Sequence, residues 1–151
     1  MTTQTIFSEG DDFMKKAIFV LLAALLIFVG CSNGKLKAGT FDGEYNLGDS
    51  HATAKVTIDN NGKITDVYFD ETHNGSTKKT LGDAYGMKSD WGSKIGEWYE
   101  QAEALEKAIV ANQGVDFITF DETGKTDAVS GCTIKVNHLV DAFKQAIEKA
   151  K

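Results

Sequence analysis

Alternating apolar and polar residues predict a β-hairpin near the middle of the chain. Every second residue between positions 52 and 58 is apolar, which is the period of a strand with one buried face. Asp59-Asn60-Asn61-Gly62 is a turn signal, and residues 63–69 are predicted as the partner strand. An earlier strand is predicted at residues 40–47. Two aromatic residues would anchor it to the core: Phe41 and Tyr45.

A different spacing predicts two helices. Residues 97–112 carry an apolar stripe at helical spacing, and a second stripe follows residue 133 directly. Residues 116–120 are predicted as a short apolar strand. Segment 76–96 is polar and contains glycines, and it is predicted to be irregular. The predicted fold is therefore α+β: a small curved antiparallel sheet packed against two main helices in a single domain. The two stripes are Trp98, Ala102, Leu105 and Ile109, and Val136, Leu139, Val140, Phe143 and Ile147.

The N-terminal segment has the pattern of a secretion signal. Lys15 and Lys16 precede an apolar run at residues 17–30, which is shorter than the roughly 20 residues of a membrane-spanning helix. Residues 1–30 are predicted as a signal peptide. The alternatives are an ordinary signal peptide and an uncleaved anchor. Cys31 would then have no special role. Residues 1–13 are polar and contain three acidic residues. Acidic residues are unlike the start of a signal peptide, so a misplaced start codon before Met14 is suspected.

The end of this run, Phe28-Val29-Gly30-Cys31, resembles a lipobox, in which the signal peptide is cut before a lipidated cysteine. The resemblance implies that Cys31 carries a lipid anchor at the outer face of the cytoplasmic membrane. Residues 31–40 would then be a tether. A released fragment such as residues 23–30 could also serve as a peptide pheromone.

Composition and charge argue against some classes of function. The formal net charge of −6 at pH 7 argues against nucleic-acid binding, which needs a basic face. All basic residues are lysines, a composition that fits a low-GC Gram-positive source. With Cys31 lipidated, Cys132 has no disulfide partner, and a four-cysteine metal site is excluded. Cys132 is expected to be a small, partly buried residue. The three histidines lack metal-ligand spacing and are predicted at the surface or in turns: His51, His73 and His138.

The candidate chemistry lies in Asp127-Ala128-Val129-Ser130-Gly131-Cys132-Thr133. A glycine-containing loop that leads into a helix presents unpaired backbone N–H groups and the positive end of the helix dipole, and both suit an anion. A threonine hydroxyl there could bind a phosphate or be esterified by one. The alternative is a polar loop in which Ser130 or Thr133 is the N-cap of the last helix.

These seven residues resemble the flavin-attachment motif of the FMN-binding domain family, roughly D-x-x-S/T-G-A-T, with Cys132 in place of the usual alanine. That family includes flavin-carrying subunits of sodium-pumping NADH:quinone oxidoreductases and Rnf complexes, and bacterial surface lipoproteins. The resemblance implies that a flavin transferase joins FMN through its phosphate to Thr133. It also implies that Asp127 matters to the transferase and that Ser130 and Gly131 shape the loop.

The resemblance extends over roughly residues 41–151, because the strand pattern around Gly43-Glu44-Tyr45 also matches the opening of such domains. Glu71-Thr72 matches the first half of a family Glu-Thr-Pro-Gly segment near the flavin, so both residues are further site candidates. A solvated loop is the alternative. Three residues of segment 76–96 are predicted to border the flavin ring, or else only to pack on the following helix: Tyr85, Met87 and Trp91.

The predicted function is electron carriage by one FMN on a membrane-anchored extracytoplasmic domain, with a redox donor and acceptor that the sequence does not name. The alternatives are a noncovalent ligand-binding module and a flavin-free surface lipoprotein. We assign no catalytic residue and no metal site. The chain contains no P-loop or dinucleotide fingerprint and no serine–histidine–acid arrangement that we can place.

Overall fold

Four antiparallel strands form a meander in the order in which they follow one another along the chain. They are β1 (Gly39–Leu47), β2 (Ser50–Ile58), β3 (Ile64–His73) and the short β4 (Ser76–Thr77). The structure is a computed structural model that describes residues 34–48 and 50–151. The predicted signal peptide, Cys31 and the start of the predicted tether lie outside the described residues.

One face of the sheet is built from small and medium apolar residues. Gly43 in β1 lies opposite Ala54 in β2, and Ala54 lies opposite Phe69 in β3. Ala54 and Phe69 are fully buried. The alternation predicted for β2 is confirmed, since its four apolar residues are all buried: Ala52, Ala54, Val56 and Ile58. A register shift between Thr57 and Ile58 marks a bulge, which bends a strand locally.

In the described part of the chain, three α-helices lie outside the sheet: α1 (Lys78–Leu81), α2 (Trp98–Asn112) and α3 (Asn137–Lys149). α3 packs on β1 and β2, and α2 packs on β3. Both predicted stripes face this core. Leu105 and Ile109 of α2 and Leu139 of α3 are fully buried. The predicted α+β fold with a small antiparallel sheet and two main helices is confirmed.

Gly43 allows β1 and α3 to approach closely. A Cβ at this position would clash with the backbone carbonyl oxygen of Ala142 and crowd the backbone nitrogen of Ala146. Only hydrogen therefore fits between the strand and the helix backbone.

Two predicted local assignments are wrong. Residues 116–120 form turns and irregular backbone rather than a strand. The Ile118 N–H donates to the carbonyl of Val115, and this tight turn leaves the backbone unavailable for pairing with a strand. Ile118 is nevertheless buried, which accounts for the apolar pattern.

Segment 76–96 is more regular than predicted, since it contains β4, α1 and a 3₁₀ turn at Gly82–Tyr85. Part of the predicted tether also contacts the domain. Leu36 packs against the core, and the Lys37 N–H donates to the carbonyl of Ala150 over 2.7 Å. Contacts between the predicted tether and the folded domain thus begin before residue 40.

In the part of the chain that the structure describes, no helix combines the length and apolar character needed to cross a bilayer.

Candidate functional site

The threonine loop, residues 127–133, is fastened to the core by two buried side chains. Val129 and Cys132 are buried, whereas Ser130, Gly131 and Thr133 are exposed. The Cys132 N–H donates to the carbonyl of Val129 over 3.2 Å, which closes a tight turn. Gly131 in that turn has φ +81°, a left-handed conformation that favours glycine. The loop therefore presents polar groups outward on two apolar anchors.

Thr133 is held by a buried side chain of α2. The backbone N–H and the hydroxyl of Thr133 both donate to Gln101 Oε1, over 2.8 and 2.9 Å. The Gln101 side-chain amide also donates to the carbonyl of Gly96 over 3.0 Å, and Gln101 is fully buried. The threonine side chain is therefore fixed from below while the residue stays at the surface.

An open groove lies beside Thr133. Its volume is about 550 Å³, within the range of roughly 300–1,000 Å³ of small-molecule sites. Lys125 supplies a cation to its wall, Asp121 and Asp127 supply carboxylates, and Phe120, 40% exposed, supplies an aromatic surface. The remaining lining residues are threonines: Thr119, Thr126 and Thr133.

The helix after the loop starts later than predicted. α3 begins at Asn137, and its N-cap is Val136, so neither Ser130 nor Thr133 is the N-cap. The N–H groups of Val136 and Asn137 donate to the carbonyl of Gly124, over 2.8 and 3.2 Å. These two donors are therefore satisfied within the chain and are not presented to an anion at Thr133.

Cys132 is a buried thiol next to the candidate threonine, with an exposed fraction of 2%. Burial raises its pKa to about 11. A thiol that stays protonated is a poor nucleophile at neutral pH. The residue therefore acts as a small core side chain, as expected from the sequence.

Glu71 lies at the inward-facing end of β3, in a buried charged cluster with Lys78 and His138. Lys78 Nζ donates to Glu71 Oε2 over 2.6 Å, and His138 Nε2 lies 3.1 Å from the same oxygen. Glu71 and His138 are 5% and 6% exposed. The solvated-loop alternative is therefore wrong for Glu71, and the prediction of a surface or turn histidine is wrong for His138.

Two effects act on the pKa of Glu71. Burial raises it, but the hydrogen bonds and positive charges of His138 and Lys78 outweigh burial and lower the pKa to about 2. Glu71 is therefore a carboxylate at neutral pH, and its charge is compensated inside the fold.

Aromatic rings extend this cluster toward the surface. Lys78 Nζ lies 5.2 Å from the ring centroid of Tyr85 and 5.3 Å from that of Trp98, within reach of cation–π attraction. Tyr85 packs edge to face against His73 and Trp91, with centroid separations of 4.9 and 5.2 Å. Trp91 is 62% exposed.

The other two candidates have structural contacts. Thr72 pairs with Thr77 of β4, and its hydroxyl accepts the His51 N–H over 2.9 Å. Met87 packs against the core, and its N–H donates to the side chain of Glu97 over 2.8 Å. Both residues help to shape the segment that leads to α2.

The candidates thus form two groups that meet different residues of one helix. The threonine loop contacts Gln101 of α2, and the charged cluster contacts Trp98 through Lys78. Trp98 and Gln101 are three residues apart and so lie on the same face of the helix.

Several residues of these groups carry no motif in the sequence. Gln101, Lys78 and Glu97 each have ordinary helical or polar neighbours in the sequence, and their contacts in the fold give them their roles. The signal available for Gln101 was its position on the apolar stripe of α2, three residues after Trp98. A polar residue on such a stripe needs a buried partner.

Metal ligation has no support in the described part of the chain. No group of three or more histidine, cysteine, aspartate or glutamate side chains is placed there to hold an ion.

Fold and loop together define a small α+β domain that presents a threonine beside an open groove. The sequence model of the FMN-binding domain family matches residues 49–148. The chain belongs to this family, and it is therefore a flavin-binding protein with FMN as its flavin. Neither the search of curated proteins nor that of solved structures found a match.

Proposed function

We propose that the protein is a lipid-anchored electron carrier of the extracytoplasmic membrane face, with one FMN joined covalently to Thr133 through its phosphate. The observation that carries this proposal is the presentation of Thr133. The residue is exposed, its oxygen is fixed by Gln101, and the groove beside it has a suitable size. A covalent link also prevents loss of the cofactor outside the cell.

The residues around Thr133 fit an attached phosphoester. Lys125 in the groove wall supplies a positive charge that offsets part of the repulsion between the phosphate and the carboxylates of Asp121 and Asp127. Asp127 lies at the same groove and is exposed, so a transferase can reach it. When bound, FMN supplies the redox chemistry, and the protein supplies its attachment, orientation and surroundings.

Segment 76–96, which carries Tyr85 and Trp91, is the proposed neighbour of the flavin ring. Trp91 presents most of its surface to solvent while Tyr85 supports it from the side. Planar aromatic groups that stack gain about 0.5–1.5 kcal/mol per pair beyond burial. Trp91→Ala should therefore alter the fluorescence and potential of the bound flavin. Unchanged values in single alanine variants of Tyr85, Met87 and Trp91 would assign these side chains to packing alone.

Covalent attachment can be tested by mass and fluorescence after denaturation. The full-length chain is produced with and without a flavin transferase, and the peptide containing Thr133 is analysed. Thr133→Val keeps the shape but removes the oxygen, so it should abolish the added FMN mass, whereas Thr133→Ser should retain some. Thr65→Val is the matched control, because it makes the same change at an exposed threonine outside the loop and leaves Thr133 intact.

Two other results would change the assignment. Flavin that copurifies with the chain but is released on denaturation would favour noncovalent binding. A chain without flavin under both conditions would favour a surface lipoprotein without redox function.

The anchor has its own test. A cysteine directly after a short apolar run fits lipidation at Cys31, and two acyl chains at about 0.8 kcal/mol per buried CH₂ hold a domain on a membrane where one chain gives marginal binding. Cys31→Ala should leave unprocessed precursor in cells. Normal cleavage after Gly30 in that variant would contradict lipidation.

A further inference from the structure

We infer that Gln101 is a positioning residue for flavin attachment, because it sets the direction in which the Thr133 oxygen presents its lone pairs. Thr133 has this role only if it receives the flavin, so the inference rests on the proposed function. Gln101 lies 32 positions earlier in the chain, on α2, and it touches Thr133 only because the fold brings the helix and the loop together.

The first step in the argument is the orientation of the hydroxyl. The Thr133 hydroxyl donates its proton to Gln101 Oε1 over 2.9 Å. A hydroxyl that donates inward turns its acceptor lone pairs away from that partner. Thr133 is exposed as a residue, so a transferase that reaches it from solvent meets the side of the hydroxyl that does not face Gln101.

The second step is the rigidity of the amide. Gln101 Oε1 also accepts the Thr133 N–H over 2.8 Å, and its side-chain nitrogen donates to Gly96 over 3.0 Å. These contacts fix which end of the amide faces Thr133, and full burial of the side chain prevents water from replacing it. The oxygen is thus held before the reaction, which avoids an entropic cost during it.

The chemical step needs an activated donor. Thr133 Oγ1 forms the new bond to the flavin-side phosphorus of a flavin dinucleotide. The bond that breaks is the phosphoanhydride P–O bond, and its electron pair leaves with the nucleoside monophosphate. The hydroxyl proton must pass to a base on the transferase. Among residues 34–48 and 50–151, Thr133 Oγ1 hydrogen-bonds to an amide oxygen and to no carboxylate or imidazole. An amide oxygen orients the hydroxyl but does not remove its proton at neutral pH.

The ester also changes the contact itself. Once Oγ1 carries the phosphoryl group, it has no proton to donate to Gln101, whereas the Thr133 N–H still does. The unmodified threonine is therefore the state in which Gln101 makes both bonds.

The test measures transferase kinetics with the unmodified full-length chain, purified in detergent, as the substrate. Gln101→Leu removes the acceptor at nearly constant volume. It should lower kcat for covalent FMN incorporation about tenfold or more, since small misplacements of reacting atoms cost this much, while KM stays within about threefold of wild type. Gln101→Glu retains an acceptor for Thr133 but loses the donor to the Gly96 carbonyl and buries an acidic group, so it should recover only part of the rate.

Leu105→Ala is the matched control for loss of stability. It creates a cavity on the same helix at a fully buried residue and leaves the Thr133 contacts in place, so its kcat should stay near wild type. Amide hydrogen exchange provides a second readout: the Thr133 N–H should exchange faster in Gln101→Leu than in Leu105→Ala.

The outcomes separate this role from the function on which it rests. A normal kcat in Gln101→Leu, or an equal loss in Leu105→Ala, would overturn the positioning role while Thr133 remained the attachment site. No covalent FMN in the wild-type chain with a competent transferase would refute both.

Discussion

The threonine loop and the charged cluster both contact α2, but the loop keeps a polar residue exposed whereas the cluster buries a charged one. At the loop, the neutral amide of Gln101 holds Thr133 so that an oxygen stays at the surface. At the cluster, Glu71 is removed from water, its charge is balanced by Lys78, and it lies within hydrogen-bond distance of His138. The comparison teaches that exposure is maintained here with uncharged hydrogen bonds, whereas burial of a carboxylate requires charged partners.

The free-energy cost of losing a partner should therefore differ between the two regions. A buried charge that loses its partner costs more than a buried neutral group that loses one hydrogen bond. The cluster should therefore dominate stability, and the loop should dominate reactivity.

Glu71→Gln should produce the largest loss of stability. The variant leaves Lys78, whose side chain is 13% exposed, without its carboxylate, and breaking a buried pair in this way costs about 3 kcal/mol or more. The loss would be measured by chemical denaturation. The matched control is Glu44→Gln, which removes a second glutamate–histidine pair, to His51, at 61% exposure of the glutamate. It should change the unfolding free energy by less than about 1 kcal/mol.

Acid should erase the advantage of the wild-type chain over Glu71→Gln. The pKa of Glu71 is lowered in the folded state to about 2 from an ordinary value of 4.5. Its stabilising effect is therefore complete above about pH 4.5 and is lost as the pH falls toward 2. Unfolding free energies of both chains between pH 7 and pH 2 give the difference. A difference independent of pH would contradict the ion-paired carboxylate.

Gln101→Leu should have an intermediate effect on stability. It leaves the buried Gly96 carbonyl without its partner, which costs about 1–3 kcal/mol, whereas Thr133 is exposed and its N–H can bond to water. The same denaturation experiment measures this loss. Because no ionisable group takes part, the loss should be equal at pH 7 and at about pH 2, unlike that of Glu71→Gln. A marked pH dependence would show that the two regions are not independent.

Thr133→Val should have the smallest effect on stability and the largest on flavin content. It removes one hydrogen bond worth about 0.5–1.5 kcal/mol, while Gln101 keeps its bonds to the Thr133 N–H and to Gly96. Thermal unfolding of the unmodified chains provides the measurement. A loss as large as that of Gln101→Leu would mean that the hydroxyl is a structural support as well as the attachment point.

Local patterns in the sequence were sufficient for most of the sheet and the helices. The alternation in β2 and the stripe around Leu105 each reflect a face that must be buried, and the structure buries both. The Asp59–Gly62 signal reflects local turn chemistry, and the structure has a turn there. The motif that ends at Thr133 also indicated the family, which the match at residues 49–148 confirms.

Other local patterns misled because they did not specify a partner. The apolar run at 116–120 buries Ile118 through a turn rather than a strand, since a strand also needs a free neighbouring edge. The start of α3 moved to Asn137 because Gly124, thirteen residues earlier, supplies the carbonyl that caps the helix. The sequence contains no local sign of either contact.

The sequence by itself determined the period of each element, the family and the threonine that the motif marks, because these depend on neighbouring residues. Only the tertiary structure decided that Gln101 contacts Thr133 and that His138, 67 positions after Glu71, meets that carboxylate. Both contacts join residues on separate elements. Their strength comes from burial, which lowers the local dielectric, and burial is a property of the packed domain.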